Sequence, residues 1–217
     1  MENIYYNQSE DERWNSYFYP GTQTFINKLG ITDDSELSKA EREICDQKVE
    51  ELKKNPLKGN FDSERLRIIH EYLFSDLYDW AGKYRDVSLT KEDFSKVVAV
   101  VDIERCLKED FDLLNKNIRN VYNLDTFAEV IADCYIGFGR IHPFREGNGR
   151  TIREFLREFV EYKSQMLGFE PYTLDWSLID NEKISSYMAS NLTLLTLIKI
   201  EIRKGLVPYD PYKENRI

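Results

Sequence analysis

One window constrains this chain more than any other. Four of its ten glycines, Gly137, Gly139, Gly147 and Gly149, fall within thirteen residues, and five arginines, Arg140, Arg145, Arg150, Arg153 and Arg157, fall within eighteen. Against two acids, Glu146 and Glu154, those arginines leave the window at +3, while the chain as a whole carries −9 and the remainder therefore −12. One of only two histidines, His142, lies inside it. A fold built on this sequence must bring a flexible, cationic turn against an otherwise acidic body.

The stretch reads Ile141-His142-Pro143-Phe144-Arg145-Glu146-Gly147-Asn148-Gly149-Arg150-Thr151-Ile152-Arg153. Gly-Asn-Gly lets successive N–H groups converge on one point, an anion nest. Ile152, Phe155, Leu156 and Phe159 supply the apolar stripe of a helix beginning directly after it. The free N–H groups and positive dipole end of that helix favour an anion as well. Arg150, Arg153 and Arg157 share one helix face. Cations near a helix N-terminus are unfavourable unless an anion is present, and guanidinium groups match phosphate oxygens in pairs. Glu146 repels phosphate directly but suits a Mg²⁺ that bridges phosphate oxygens. His142, stiffened by Pro143, suits the role of a base that takes a proton from an incoming hydroxyl. Phe144 anchors the loop to the core. The residues alone thus predict a Mg²⁺–polyphosphate site beside a base.

The rest of the chain predicts a mainly α-helical single domain over 1–217, with a core at 60–165, an N-terminal extension at 1–58 and C-terminal helices at 170–205. Helices are expected from Ser38 to Lys54, with Ser38 and Glu41 as a capping box, and from Asp62 or Ser63 to Trp80. Further helices are expected over Asp102–Asn115, from Asp125 to about Gly137, from Gly147 to about Tyr162, and over Ser177–Ala189 and Asn191–Lys204. Tyr84 to Leu89 is the strand candidate and pairs with Phe94–Val101 in a hairpin, unless Val97–Val101 opens the next helix. The tail from Pro208 reads as polar and loose.

The excluded classes follow from composition. No apolar run approaches the length of a membrane span. Met1 to Tyr19 lacks the apolar segment of a signal peptide. The acidic balance disfavours a general nucleic-acid binder. Cys45, Cys106 and Cys134 share no short spacing, which predicts reduced thiols in a cytoplasmic setting rather than a disulfide framework or zinc site. His70, on the stripe of Leu66, Leu73 and Leu77, reads as a core or capping histidine.

The residues 142–153 match at every specified position the Fic motif, His-Pro-Phe-x-(Asp/Glu)-Gly-Asn-Gly-Arg-x-x-Arg. Tyr19-Pro20-Gly21-Thr22, Asn27-Lys28-Leu29-Gly30, Gly59-Asn60-Phe61-Asp62, and Leu73-Phe74 through Trp80-Ala81-Gly82 also resemble bacterial Fic proteins. The resemblance covers roughly residues 15 to 165. It implies a helical bundle with a small β-hairpin flap. It implies a protein adenylylyltransferase that moves AMP from ATP to a Tyr, Thr or Ser hydroxyl of a target protein and releases pyrophosphate. By that resemblance His142 is the general base and Glu146 the Mg²⁺ ligand. Gly147, Asn148 and Gly149 cradle the phosphates, Asn148 adding a side-chain bond, with Phe144 grouped with them as the loop's anchor. Arg150 and Arg153 clamp the β- and γ-phosphates. The flap, around Arg85–Phe94, adds its edge to the target backbone, with Thr90 and Lys91 as contacts; it lacks the glycines common in relatives.

Many relatives also carry an inhibitory helix, Ser/Thr-x-x-x-Glu-Gly/Asn, whose glutamate pairs with the second motif arginine, here Arg153. Only Thr32–Glu36 and Ser88–Glu92 have the spacing, and neither is followed by Gly or Asn. Glu36 is the candidate, although Asp33 and Glu36 read equally as a plain capping box. The other source of control is a separate small antitoxin-like protein. Tyr5, Tyr6, Tyr17 and Tyr19 are candidates for self-modification. Two alternatives remain: a kinase-type relative with reversed nucleotide, disfavoured because Gly149 is intact, and an inactive nucleotide-binding module.

Overall fold

Capping residues set where most of the helices begin. The computed structural model of the protein describes residues 9–89, 97–189 and 194–210. Ser9 caps α1 (Glu10–Asn15), and Asp33 caps α2 (Asp34–Lys54) by accepting the Glu36 N–H at 2.8 Å. The second helix therefore starts four residues before Ser38: Asp33, not Ser38, holds the first free N–H groups. Asp62 accepts from the N–H groups of Glu64 and Arg65 and opens α3 (Ser63–Phe74).

That third helix stops at Phe74 rather than running to Trp80. The residues after it are claimed by tertiary contacts: the Leu77 carbonyl accepts the Lys28 N–H at 2.8 Å, and the Tyr78 and Trp80 rings stack with centroids 4.3 Å apart. Packing overrides a helical period that continues through Leu77.

A short 3₁₀ turn at Val100–Asp102 leads into α4 (Ile103–Asn117), so this region opens a helix. The next helix, α5, spans Leu124–Ile141 with Asn123 as its cap, and passes through Gly137 instead of ending there. A side chain at Gly137 would collide with the Asp110 carboxylate of α4, so this glycine permits close helix approach rather than a stop. α6 follows over Asn148–Met166. Then come β1 (Tyr172–Leu174), α7 (Asn181–Ala189), α8 (Leu195–Gly205) and β2 (Leu206–Pro208).

β1 and β2 pair antiparallel, with Thr173 opposite Val207, and Tyr209 N–H continues the contact to the Pro171 carbonyl. β2 ends at Pro208, where the expected tail begins; residues 211–217 lie outside the described residues. These are the only named strands among the described residues. Tyr84–Leu89 is not one: its Arg85 N–H goes to the Pro143 carbonyl and its Ser88 N–H to the Glu10 carboxylate, so the ladder groups are spent elsewhere. The flap contacts Thr90 and Lys91 lie outside the described residues.

The core centres on α3, α5 and α6. Phe74, Phe138, Phe144, Phe155 and Phe159 are completely buried in it. Phe155 makes edge-to-face contacts with Phe111 and Phe138. Burying five phenyl rings gives each helix a fixed register, which is what holds the His142 turn between α5 and α6. No helix among the described residues is long and apolar enough to cross a membrane.

Candidate active site

The site is the junction of two helices. α5 ends where His142 takes a left-handed conformation (φ 49°, ψ 61°), the one positive φ outside glycine among the described residues. A β-carbon makes that conformation costly, by about 1–3 kcal/mol, and such strain persists only where the surroundings impose it. The His142 ring lies with Nδ1 3.3 Å from the Gly139 carbonyl. A carbonyl only accepts, so Nδ1 carries the proton and the basic lone pair sits on Nε2.

The chain re-enters a helix through Gly147 (φ 79°), where a β-carbon would overlap the Phe74 ring as well as strain the backbone. α6 has no side-chain cap. The first-turn N–H groups of Asn148, Gly149 and Arg150 therefore have no intrahelical acceptor, the arrangement that favours an anion. Gly149 is exposed.

Asn148 ties the loop together. Its side chain is buried, its Oδ1 accepts the Phe144 N–H at 2.8 Å and its Nδ2 donates to the Phe144 carbonyl at 2.8 Å. Oδ1 and one of the two Nδ2 hydrogens thus close the turn, and the backbone N–H of Asn148 adds to the free groups at the start of α6. Phe144 is likewise an anchor: fully buried, it stacks on His70 with centroids 3.9 Å apart.

The three arginines of α6 part company. Arg150 lies against the Phe74 ring and pairs with Glu41 of α2 at 2.5 Å; Glu41 also accepts the Tyr78 hydroxyl. Arg157 is buried and saturated, bound to Glu154 at 2.5 Å and Glu161 at 2.7 Å, so it does not belong to the anion face. Arg153 has no carboxylate partner among the described residues; burial, helped by the nearby Arg150 and partly opposed by Tyr135, pulls its pKa down. A cavity of about 440 Å³ opens beside Arg150, Arg153 and the neutralised Arg157, walled also by Asp46 and Lys53 of α2 and by Trp176. Glu36 is exposed on the first turn of α2; the carboxylate of that helix that reaches the motif is Glu41.

Glu146 is half exposed, accepts the Gly147 N–H at 2.9 Å, and lies 3.9 Å from Arg150. No cluster of three His, Cys, Asp or Glu that could hold a metal occurs among the described residues. One hard carboxylate beside an anion site does fit Mg²⁺ in the form in which it binds nucleotides, completed by phosphate oxygens and water.

Three supporting residues escape the sequence reading. Arg145, at the unspecified motif position, is buried with its guanidinium 4.0 Å from the Trp14 ring and 4.9 Å from Phe25. This cation–π cage fastens the loop to the N-terminal segment. Arg85 donates from Nε to the His142 carbonyl at 2.8 Å. His70 is buried as expected of a core histidine, yet it also touches the site: it accepts the Gly82 N–H on Nδ1 at 2.8 Å and donates from Nε2 to the Glu146 carbonyl at 3.0 Å. Only a motif-level view of Trp80-Ala81-Gly82 hints at the second role. Of the tyrosines, Tyr17 donates to Asp86 and Tyr19 to the Asn27 carbonyl, while Tyr5 and Tyr6 lie outside the described residues.

Burial drives the His70 pKa down to about 4 from the ordinary 6.5. Between those values the unfolded chain binds the proton and the folded chain does not, so stability falls as pH drops from about 6.5 towards 4. The expected loss is about 3 kcal/mol. Thermal melts of the nucleotide-free protein across this range should show it, and His70→Gln should flatten the dependence; an unchanged slope in that variant would assign the loss to other groups.

The Fic/DOC family model matches residues 60–160. The chain is 31% identical over 191 residues to the protein adenylyltransferase VbhT of Bartonella schoenbuchensis, covering 84% of this chain but only 38% of that protein. It is 28% identical over 204 residues to the probable protein adenylyltransferase y4lH of Sinorhizobium fredii, covering 93% of this chain and 98% of the relative. The crystal structure of BepC from Bartonella tribocorum with bound AMPPNP superposes with a TM-score of 0.74 at 29% identity, over 89% of this chain and 97% of that one.

Proposed function

The chain belongs to the Fic/DOC family through residues 60–160, and on that premise we propose that it is a protein adenylyltransferase, moving AMP from ATP to a Tyr, Thr or Ser hydroxyl of a protein and releasing pyrophosphate. One observation carries the reading. The uncapped start of α6 and the carboxylate-free Arg153 form an anion site six residues along the chain from a histidine whose basic nitrogen is Nε2.

In this reading the backbone N–H groups of Asn148, Gly149 and Arg150 hold the β- and γ-phosphates. Arg153 adds charge-assisted bonds to them, and Arg150 joins once phosphate competes with Glu41. His142 Nε2 takes the proton of the target hydroxyl. The hydroxyl oxygen bonds to the α-phosphorus, the bond from that phosphorus to the bridging oxygen breaks, and pyrophosphate leaves. Glu146 is the protein ligand for Mg²⁺, which when bound neutralises charge on the phosphate oxygens. His70 and Asn148 keep the loop in one conformation, so the base and the anion site stay in register. The AMPPNP bound to BepC supports a nucleotide ligand, and the names of the relatives support the transfer.

The target is a protein with an exposed hydroxyl. Self-modification at Tyr17 or Tyr19 would first break the bonds each makes. Control is assigned to a separate small antitoxin-like partner rather than to Glu36, which is exposed. The three free cysteines accord with a reducing, cytoplasmic setting.

The test is incubation of the protein and a cell extract with ATP labelled at the α- or the γ-phosphate. Protein should retain label from the α position only. Retention from γ only would replace this reading with phosphoryl transfer.

A further inference from the structure

We propose that Arg85 is a positioning residue for the transfer: it fixes the peptide of His142 and through it the direction of the imidazole. The proposal rests on reading His142 as the base.

Arg85 is 2% exposed and has no carboxylate partner among the described residues. Its donors go to main-chain carbonyls instead. Nε donates to the His142 carbonyl at 2.8 Å, Nη1 to Val87 at 3.0 Å, and Nη2 to Ile141 at 3.3 Å and to Val98. Its backbone N–H takes the next carbonyl, Pro143, at 2.8 Å. One residue therefore holds three consecutive carbonyls, 141 to 143, at the point where α5 ends and the loop begins.

A buried cation without a counter-charge is unfavourable unless dipoles replace it. The C-terminus of the 18-residue α5 supplies them: its last carbonyls are the negative end of the helix dipole, and a guanidinium satisfies groups that the helix leaves open. The same contact answers why His142 keeps a left-handed backbone. The charge-assisted bond from Nε locks its carbonyl, the Gly139 carbonyl locks Nδ1, and the ring has one orientation left.

Leu or Met at position 85 would fill the space but leave four carbonyls without donors. Arg85 sits 57 residues from His142 in sequence and bonds its carbonyl, not its ring. It acts on the reaction only through the base.

A double-mutant cycle separates this role from a general structural one. The rate of α-label transfer at saturating ATP and the affinity for Mg²⁺–AMPPNP are measured for the wild type, Arg85→Gln, Arg85→Lys, His142→Ala and Arg85→Gln/His142→Ala. Arg85→Gln should slow transfer about 10²-fold, with AMPPNP affinity within a few-fold of wild type. Arg85→Lys should recover part of the rate. The double variant should be no slower than His142→Ala alone. Multiplying losses in the double variant, or AMPPNP affinity falling in step with rate, overturns the proposal. If Arg85→Gln does not fold, Arg85→Lys carries the same cycle with the same criteria. A wild type that transfers no α-label is instead a failure of the adenylyltransferase reading, and the two outcomes are distinguishable.

Discussion

Replacing His142 by Ala is expected to lower AMP transfer about 10²–10⁴-fold while leaving nucleotide affinity near its wild-type value. The reason is the division of labour at the α5–α6 junction. Nucleotide contacts are assigned to the start of α6 and to Arg153, none of which the imidazole supports directly. In the proposed reading His142 Nε2 takes the proton that moves in the transition state, so its loss should appear in kcat rather than in KM. The left-handed backbone at 142 is strained for Ala as for His; the Gly139 contact goes with the imidazole, but the Arg85 bond to the carbonyl of residue 142 remains and limits how far the loop relaxes. Rates of α-label transfer and calorimetric titration with Mg²⁺–AMPPNP check both halves. Equal loss of rate and affinity would mean that His142 holds the loop rather than the proton.

Arg153→Met and Arg157→Met are expected to fail in opposite ways, although both arginines lie in the same helix with one turn between them. Arg157 is buried with Glu154 at 3% and Glu161 at 12% exposure, and removing it leaves both carboxylates without their cation. Breaking a buried pair in this manner costs about 3–5 kcal/mol, or a fall in Tm of about 10 °C for a domain of this size. Nucleotide affinity should hardly move. Arg153 has no such partner to orphan, and Trp176 bonds to its main-chain carbonyl, not its guanidinium. Its replacement should leave Tm nearly unchanged and weaken AMPPNP binding about 10–100-fold, the worth of one charge-assisted contact to phosphate. Melting curves and titrations on the two variants decide the matter. Weakened binding in Arg157→Met beyond that in Arg153→Met would return Arg157 to the phosphate face.

These two arginines also show how far the sequence can be read. Spacing alone places Arg150, Arg153 and Arg157 on one face, and that is correct as geometry. What spacing cannot supply is the partner of each. Arg157 is neutralised by glutamates on its own helix, three residues before it and four after, and Arg150 by Glu41, 109 residues earlier in the chain. The loop itself was legible because its chemistry is contiguous: base, carboxylate, Gly147 turn and helix start follow one another within a dozen residues. Its supports were not, because Arg85, Arg145 and His70 reach it across gaps that only the packing of α3, α5 and the N-terminal segment closes. The helix ends failed for a related reason. Gly137 reads as a terminator by composition and serves as a close-approach site under Asp110, while Leu77 reads as helical and is drawn into a turn by Lys28.

The orientation of a bound nucleotide tests the central claim most directly. A crystal structure of this chain with Mg²⁺ and AMPPNP should place the β- and γ-phosphates on the N–H groups of residues 148–150 and on Arg153, with the α-phosphorus facing His142 Nε2. A nucleotide lying the other way, with its γ-phosphorus at His142, would contradict adenylyl transfer and make the site one for phosphoryl transfer.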